Sequence, residues 1–412
     1  MRTSPSPRRF PALVPLAPAV LVVAALTLAA CSTGDGDAAA SSDDLPPAAE
    51  AGSALDLAEV CPSTVVMQQD WQPQAEHGAM YALLGPDRAI DTDAKTVTGS
   101  LVAQGVDTGV DVEIRPGGPN VGFQAVSDLM YLDRDILVGA VNTDQAINAQ
   151  AAGRPVVAVT SQLTSSPQIY MWDPETYPDA TGVADVLATG ATLVASGRII
   201  PSLLASKGLL DMAQLDPSYE GSPQRFVTDP SIVQQGFGTS EPYTYEHEIS
   251  QWMRPVAFQY LSELGYSIYP EPIVVREDDV ATQAACLERL VPVLQQSQID
   301  YLLDPELTES TNELIVELVE AYQTSWTYSP GVAAFSAAAQ VSDGLAYDDP
   351  ASGVFGRLDP ERMTEIVDTF VPVLQSAGSL PADAQVSAER LYTNEFIDPS
   401  ISSGLTAPGS GS

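Results

Sequence analysis

The chain has 412 residues, of which 54 are Asp or Glu, 17 are Lys or Arg and two are His, giving a formal net charge of −37. Bases this sparse cannot neutralise a run of phosphates and do not suit adsorption to an anionic lipid surface, so nucleic acid and bare membrane are excluded as partners. An apolar content of 45% belongs to a globular protein rather than a disordered acidic chain, and the length suits two or three units with cores of their own.

Arg2, Arg8 and Arg9 precede an almost wholly apolar stretch at 12–30, the n-region and h-region of a targeting segment spanning 1–30. Leu28-Ala29-Ala30-Cys31 closes it, followed by Ser32, Thr33 and Gly34. Small residues ahead of a Cys at this position resemble the bacterial lipoprotein lipobox, which implies cleavage before Cys31 and acylation of Cys31. The alternative is an uncleaved anchor helix with an incidental Cys. Cleavage leaves 54 acids against 14 bases. Residues 31–59 are rich in Ala, Ser, Asp and Gly without helical or strand period, and read as a flexible acidic tether. Outside the targeting segment no stretch is apolar and long enough to span a bilayer. Cys61 and Cys286 remain, and an oxidising exterior permits a disulfide between them, with two separate buried thiols as the alternative. Neither has a His near it in sequence, so a catalytic thiol is not expected.

From Cys61 onward, buried strands are expected at Thr64–Met67, Val110–Ile114, Ile136–Val141 and Val156–Thr160, with helices at 74–84, 122–132 and 143–152 between them. Such alternation predicts a largely parallel α/β sheet. A second set follows: a helix near 183–188, a strand at Ala191–Val194 and a helix at 199–210. Residues 216–245, rich in Pro, Gly and Ser, read as loops between short helices, and Ile273–Val275 reads as a return strand. The last third is helical. Asp304-Pro305 caps a start, and Leu307, Thr311, Leu314, Ile315, Leu318, Val319 and Tyr322 mark one face. Similar stripes occupy 280–296 and 361–375, with Pro292 and Pro372 expected to kink or end them.

The usual catalytic signatures are absent, and neither His77 nor His247 has metal-ligand spacing to a Cys or another His, so no metal and no cofactor are expected. What stands out are three clusters at carboxyl ends of expected parallel strands, where open α/β sheets bind ligands. Asp70-Trp71-Gln72-Pro73-Gln74-Ala75-Glu76-His77 follows the first strand. Arg115-Pro116-Gly117-Gly118-Pro119 follows the second, and Gln162 with Ser165 and Ser166 follows the fourth. Singly, each has an ordinary structural explanation: Trp71 as a core aromatic, Gly117-Gly118 as a tight turn, His77 as a partly exposed polar residue.

Together with Val112-Glu113-Ile114-Arg115-Pro116-Gly117-Gly118-Pro119, Gly153-Arg154-Pro155-Val156-Val157-Ala158-Val159 and Gly236-Phe237-Gly238-Thr239-Ser240-Glu241-Pro242-Tyr243, the Asp70-Trp71-x-Pro73-Gln74-x-Glu76-His77 stretch resembles the substrate-binding proteins of the nitrate/sulfonate/taurine and thiamine-pyrimidine group. The resemblance runs in order from about 62 to 325. It implies a two-lobed periplasmic-binding-protein type II fold, α/β, each lobe a mainly parallel sheet flanked by helices, the lobes joined by crossover strands. The expected layout is a first lobe at 60–182, a second at 183–268, a return to the first lobe with C-terminal helices at 269–399, and a disordered tail at 400–412. The implied function is that of a monomeric receptor lipoprotein, held at the membrane by its lipid anchor, that passes a small molecule to an ABC permease. By position, Asp70, Trp71, Gln74 and His77 would belong to the first-lobe wall, with Gly117 and Gly118 presenting backbone amides. Gln162 would bond ligand edge groups, and Glu241 and Tyr243 would approach from the second lobe. Tyr170 and Trp172 join this set from their place near the expected lobe edge.

Two departures lie beside this site. Leu83-Leu84 stands where the group usually has an Ala-Lys pair, and about two dozen extra residues separate Gly85 from Val110. The missing Lys weakens the alternative of an enzyme that assembles the thiamine pyrimidine. Arg115 is the only base beside the three motifs, which disfavours the nitrate or sulfonate alternative. A neutral or cationic nitrogen-containing ring, such as a pyrimidine, thiamine precursor or flavin-like compound, is the expected ligand.

Overall fold

The structure, a computed structural model, describes residues 45–219 and 221–408. The targeting segment, Cys31 and the first part of the expected tether lie outside the described residues. The described residues form strands, in chain order, β1 (Thr64–Gln68), β2 (Ala89–Asp91), β3 (Thr96–Ala103), β4 (Val106–Arg115), β5 (Ile136–Ala140), β6 (Val156–Thr160), β7 (Gln168–Trp172), β8 (Leu193–Val194), β9 (Leu215–Asp216), β10 (Val233–Phe237), β11 (Ala257–Tyr260) and β12 (Ile273–Arg276).

They form two sheets, ordered β2-β3-β4-β1-β5-β12-β6 and β11-β7-β10-β8-β9. In the first, β4, β1 and β5 are parallel, and β12 runs antiparallel between β5 and β6. In the second, β9, β8 and β10 are parallel, and β7 runs antiparallel between β10 and β11. Leaving aside the β2–β3 hairpin, both sheets follow one plan: four parallel strands with one antiparallel strand inserted before the last. The inserted strand arrives each time from the other sheet, along crossovers at 161–167 and 261–272. This is the expected two-lobed α/β architecture.

The first sheet packs Val126–Leu132, Thr143–Ala151 and Pro360–Ser376 against one face and Ala284–Leu303, Pro305–Tyr322 and Pro330–Ser342 against the other. The Pro305–Tyr322 helix begins as its sequence dictates. Asp304 accepts from the Glu306 and Leu307 N–H groups, Pro305 takes the first turn, and Thr311, Leu314, Ile315, Leu318, Val319 and Tyr322 are buried. The helices at Ala284–Leu303 and Pro360–Ser376 continue through Pro292 and Pro372, so neither proline ends its helix. The Pro360–Ser376 helix shares one apolar cluster with both lobes. From its first turn, Arg362 Nη2 donates at 2.7 Å to Thr164 O and at 2.7 Å to Ile268 O, one in each crossover, with its guanidinium 3.9 Å from the Tyr269 ring centre.

Several expectations are corrected. β7 pairs with β10 and β11, so the first crossover falls before 168 rather than at 182. The stretch at 216–245 contains β10 as an interior strand, hidden because Gln234, Gln235 and Gly236 interrupt its apolar pattern. The described part of the tether is docked: Ala49 N donates to Asp107 O at 2.8 Å, Leu57 N to Thr108 O at 3.0 Å, Arg289 to Asp56 O, and Leu57 is fully buried. The described part of the C-terminal tail is likewise held. Asp348 accepts from Ser402 Oγ at 2.6 Å, Ser403 N at 2.9 Å and Gly404 N at 3.0 Å, and Phe355 N donates to Ile401 O at 3.0 Å. The extra residues after Gly85 form the β2–β3 hairpin, which continues the first sheet outward from β4. It is tied to the Pro305–Tyr322 helix by Lys95 Nζ donating to Tyr322 O at 2.9 Å. No helix among the described residues is long and apolar enough to cross a membrane.

Cys61 and Cys286 are joined in a disulfide across 225 residues, fastening the docked N-terminal segment to the Ala284–Leu303 helix. A loop of that length restricts the unfolded chain strongly. Replacing both cysteines with Ser is expected to cost about 2–5 kcal/mol and to speed amide exchange in residues 45–60 ahead of the rest, read by denaturant melts and hydrogen-exchange mass spectrometry.

Candidate functional site

The first motif leaves β1 and immediately turns. Residues Ala75–His77 form a single 3-10 turn and Gly78–Tyr81 one short α-turn, in place of the longer helix expected at 74–84. The turn is buried beneath the Pro330–Ser342 helix. Gln340 Nε2 donates to Ala75 O at 3.0 Å, and Ala75 N donates to Tyr328 Oη at 3.0 Å. The same helix reaches the second lobe. Tyr243 packs on Phe335 with ring centres 5.6 Å apart, Tyr260 Oη donates to Asp343 at 2.6 Å, and Ser329 bonds Glu248. The interlobe cleft is therefore closed and covered on this side.

Inside it, Thr239 of the β10 loop donates to Glu76 of the first-lobe turn. Thr239 is fully buried and Glu76 nearly so. Thus the first-lobe motif and the second-lobe Gly236–Tyr243 segment meet directly. Glu241 begins the Glu241–His247 helix and folds back on β10. It accepts from Phe237 N at 2.7 Å and from Tyr219 Oη at 3.4 Å. Burial raises its pKa to about 7, and the charge of Glu76 adds to that rise.

His77 is enclosed, with its Nε2 at 3.1 Å from Asp70 Oδ1 and 3.0 Å from Glu271 Oε2. Burial alone would lower its pKa, but the bonds to Asp70 and Glu271 outweigh burial and lift it to about 10. Glu271 is pushed upward, first by burial and then by the charge of Asp70. Glu271 lies in the second crossover, with a left-handed backbone (φ +49°) and its N–H donated to Asn142 Oδ1 at 3.1 Å.

Trp71 stands partly exposed at the edge of the motif. Its ring centre is 6.1 Å from that of Phe123 and 6.2 Å from that of Trp326, which stacks on Tyr328. Gly117 and Gly118 serve this packing rather than offering a pair of open amides. Gly117 N donates to Trp71 O at 2.8 Å, and a Cβ there would lie 2.4 Å from Gln69 O. A Cβ on Gly118 would lie 2.7 Å from the Trp71 ring. Arg115 is occupied by Glu113 at 2.6 Å and Asp133 at 2.8 Å.

The structure thus brings Asp70, Gln74 and His77 onto one turn beside Trp71, and sets Glu241 across the cleft from Glu76. Gln162 lies buried in the first crossover with its Nε2 unpartnered. Tyr243 belongs to the contact between the lobe-2 helix and the covering helix. Tyr170 and Trp172 are corrected outright. They occupy the face of β7 that packs with Val183, Val186, Leu203 and Leu204 in the second-lobe core, because alternate residues of an interior strand point into opposite layers. Sequence reasoning missed Glu271, Thr239 and Trp326 and did not nominate Glu76, although Glu76 lies inside the most distinctive motif.

The folded pKa of Glu241, about 7, lies above the ordinary 4.5. Below pH 4.5 both folded and unfolded chains hold the proton; as the pH rises to 7 only the unfolded chain ionises, so stability falls, and the loss is complete above 7. Glu241→Gln is expected to raise Tm at pH 8 by several degrees and to leave it nearly unchanged at pH 4, in calorimetric scans. An equal difference at both pH values would contradict the burial of this carboxyl.

No protein-family model and no curated sequence matches the chain. Among solved structures, the alkanesulfonate-binding protein SsuA from Xanthomonas axonopodis pv. citri bound to MOPS is similar, at TM-score 0.50 and 13% identity, covering 81% of this chain and 99% of that one. The periplasmic aliphatic sulphonate binding protein SsuA from Escherichia coli is similar at TM-score 0.50 and 13% identity, covering 82% of this chain and 94% of that one. This similarity shows the fold. Both proteins are of the nitrate/sulfonate group whose motifs the sequence resembles.

Proposed function

We propose that this chain is the extracytoplasmic solute receptor of an ABC importer, closing its two lobes on a small nitrogen-containing ring and passing it to a membrane permease. It works as a monomer held outside the cytoplasmic membrane by acylation at Cys31, and it performs no chemistry on its ligand. The observation that carries the reading is the Thr239–Glu76 hydrogen bond, which joins the two segments that resemble opposite walls of a binding cleft in this group. The shared fold and the lipobox-like start support it.

Charge argues for the ligand class. The similar solved proteins are described as binding sulfonates, but an anion entering this cleft would meet Glu76, Glu241, Asp70 and Glu271. The bases of these motifs are already paired, His77 with Asp70 and Glu271 and Arg115 with Glu113 and Asp133. Burying an anion among carboxylates without a free cation is costly, whereas a cationic or neutral ring would gain from them and from the Trp71 face. A pyrimidine, thiamine precursor or flavin-like ring has these properties.

The chain purified from Cys31 onward tests this by thermal shift against pyrimidines, thiamine precursors, flavins, amines, nitrate and sulfonates. A ligand at a thousandfold its Kd stabilises by about 4 kcal/mol, so one of the nitrogen rings should raise Tm and remain unchanged in the mixture. Trp71→Ala should abolish the shift, while the Tm of the free chain falls modestly through lost packing on Phe123 and Trp326. A shift with nitrate or sulfonate alone would overturn the ligand class. Turnover lost in Glu241→Gln would overturn the receptor reading.

A further inference from the structure

The buried group at the head of the second crossover has the makings of a metal site. Asp70 arrives from the end of β1, His77 from the turn seven residues on, and Glu271 from nearly two hundred residues further along the chain. His77 Nε2, one oxygen of Asp70 and one of Glu271 all lie within 4.8 Å of one another. Both carboxylates address the same ring nitrogen, at 3.1 and 3.0 Å. That nitrogen carries one hydrogen, which can be aimed at only one oxygen, so a proton serves this arrangement incompletely.

A dication serves it fully, since three lone pairs then share one centre. Metal bonds to His nitrogen and carboxylate oxygen run about 2.0–2.2 Å, which sets neighbouring ligand atoms about 3 Å apart. The two nitrogen–oxygen separations already have that value. One imidazole with two carboxylates suits a borderline ion of the zinc type better than magnesium, which avoids nitrogen.

The surroundings fit as well. His77 is only 1% exposed, while Asp70 and Glu271 keep 18% and 12% of their side chains accessible, which leaves a path of entry. Among the described residues, neither carboxylate is paired with Lys or Arg, and the charge of Glu76 acts on Glu271. His77 Nδ1 has no hydrogen-bond partner, so the ring is held by these two oxygens alone. The ligands are also pre-placed: Gln69 N–H bonds Arg115 O at 2.8 Å beside Asp70, and Asn142 fixes the Glu271 backbone.

We infer that Asp70, His77 and Glu271 bind one zinc-type divalent cation, tying the first-lobe turn to the second crossover. The two carboxylates and the imidazole fill three coordination positions and leave the remainder to water or to a bound solute.

Zinc titrated into the metal-stripped chain, with no solute present, is the test, followed by calorimetry, by elemental analysis after dialysis and by Tm. One zinc per chain is expected, with a rise in Tm and no comparable effect of magnesium. Glu271→Gln and Asp70→Asn should each weaken zinc at least tenfold, while Asp278→Asn, at an exposed acid, should not. Circular dichroism of each variant separates lost binding from lost folding, and two independent ligand variants keep the test open if one is unstable. Zinc binding that is absent, or equally strong in Glu271→Gln and Asp70→Asn, overturns the assignment. Because the probe is the metal alone, that failure leaves the solute-receptor reading untouched.

Discussion

Each sheet is completed by a strand that comes from the other lobe. β12 lies between β5 and β6, and β7 between β10 and β11, so both borrowed strands are interior and paired on two sides. Withdrawing either would expose two rows of backbone donors and acceptors at once, a far greater cost than losing an edge. Neither lobe can therefore finish folding without the chain having passed twice through the crossovers. Arg362 then holds one carbonyl from each crossover with one nitrogen. The two crossovers are thereby held to one guanidinium where the chain passes between the lobes.

The cleft between the lobes gathers acids. Four carboxylates, Asp70, Glu76, Glu241 and Glu271, converge on a closed interior, with His77 as the base among them. Such a cluster is tolerable only because each member has an arranged partner: Thr239 for Glu76, the Phe237 N–H for Glu241, His77 for the other two. The raised pKa of Glu241 measures what remains uncompensated. Bringing the lobes together thus concentrates negative potential, and a positive group between them relieves it.

How much of this could be read from the sequence follows from how local each signal is. β6 at Val156–Thr160 and the helix at Val183–Ala188 are continuous apolar or periodic runs, and both were legible to the residue. The Pro305–Tyr322 helix announced its start through Asp304 and Pro305. β10 was not legible, because a strand buried by its neighbours can carry Gln234 and Gln235 when hydrogen bonds engage part of each side chain, the Gln234 amide N–H donating to Ser222 O and Gln235 Oε1 accepting from Ser196 N. Tyr170 and Trp172 were misplaced because sequence gives the alternation of a strand but not which layer each side faces. In the site, the motif turn and the Gly236–Tyr243 segment that holds Thr239 were both visible as motifs, yet Glu271 was not. No spacing rule connects positions 77 and 271; only the return of the second crossover does. The docked segments at 45–59 and 400–408 misled for a related reason: small polar residues suit a solvated leash, but they also suit close backbone pairing with an exposed strand or carboxylate.

The disulfide and the backbone bonds of residues 49 and 57 attach the amino-terminal segment to the first lobe alone. Mechanically, this loads one lobe and not the other. Tension applied through the amino end runs into the Ala284–Leu303 helix and the β4 edge, and does not pass along the crossovers. A pull on residues 45–60 is therefore borne by the first lobe, and the contact of Thr239 with Glu76 across the cleft carries none of it.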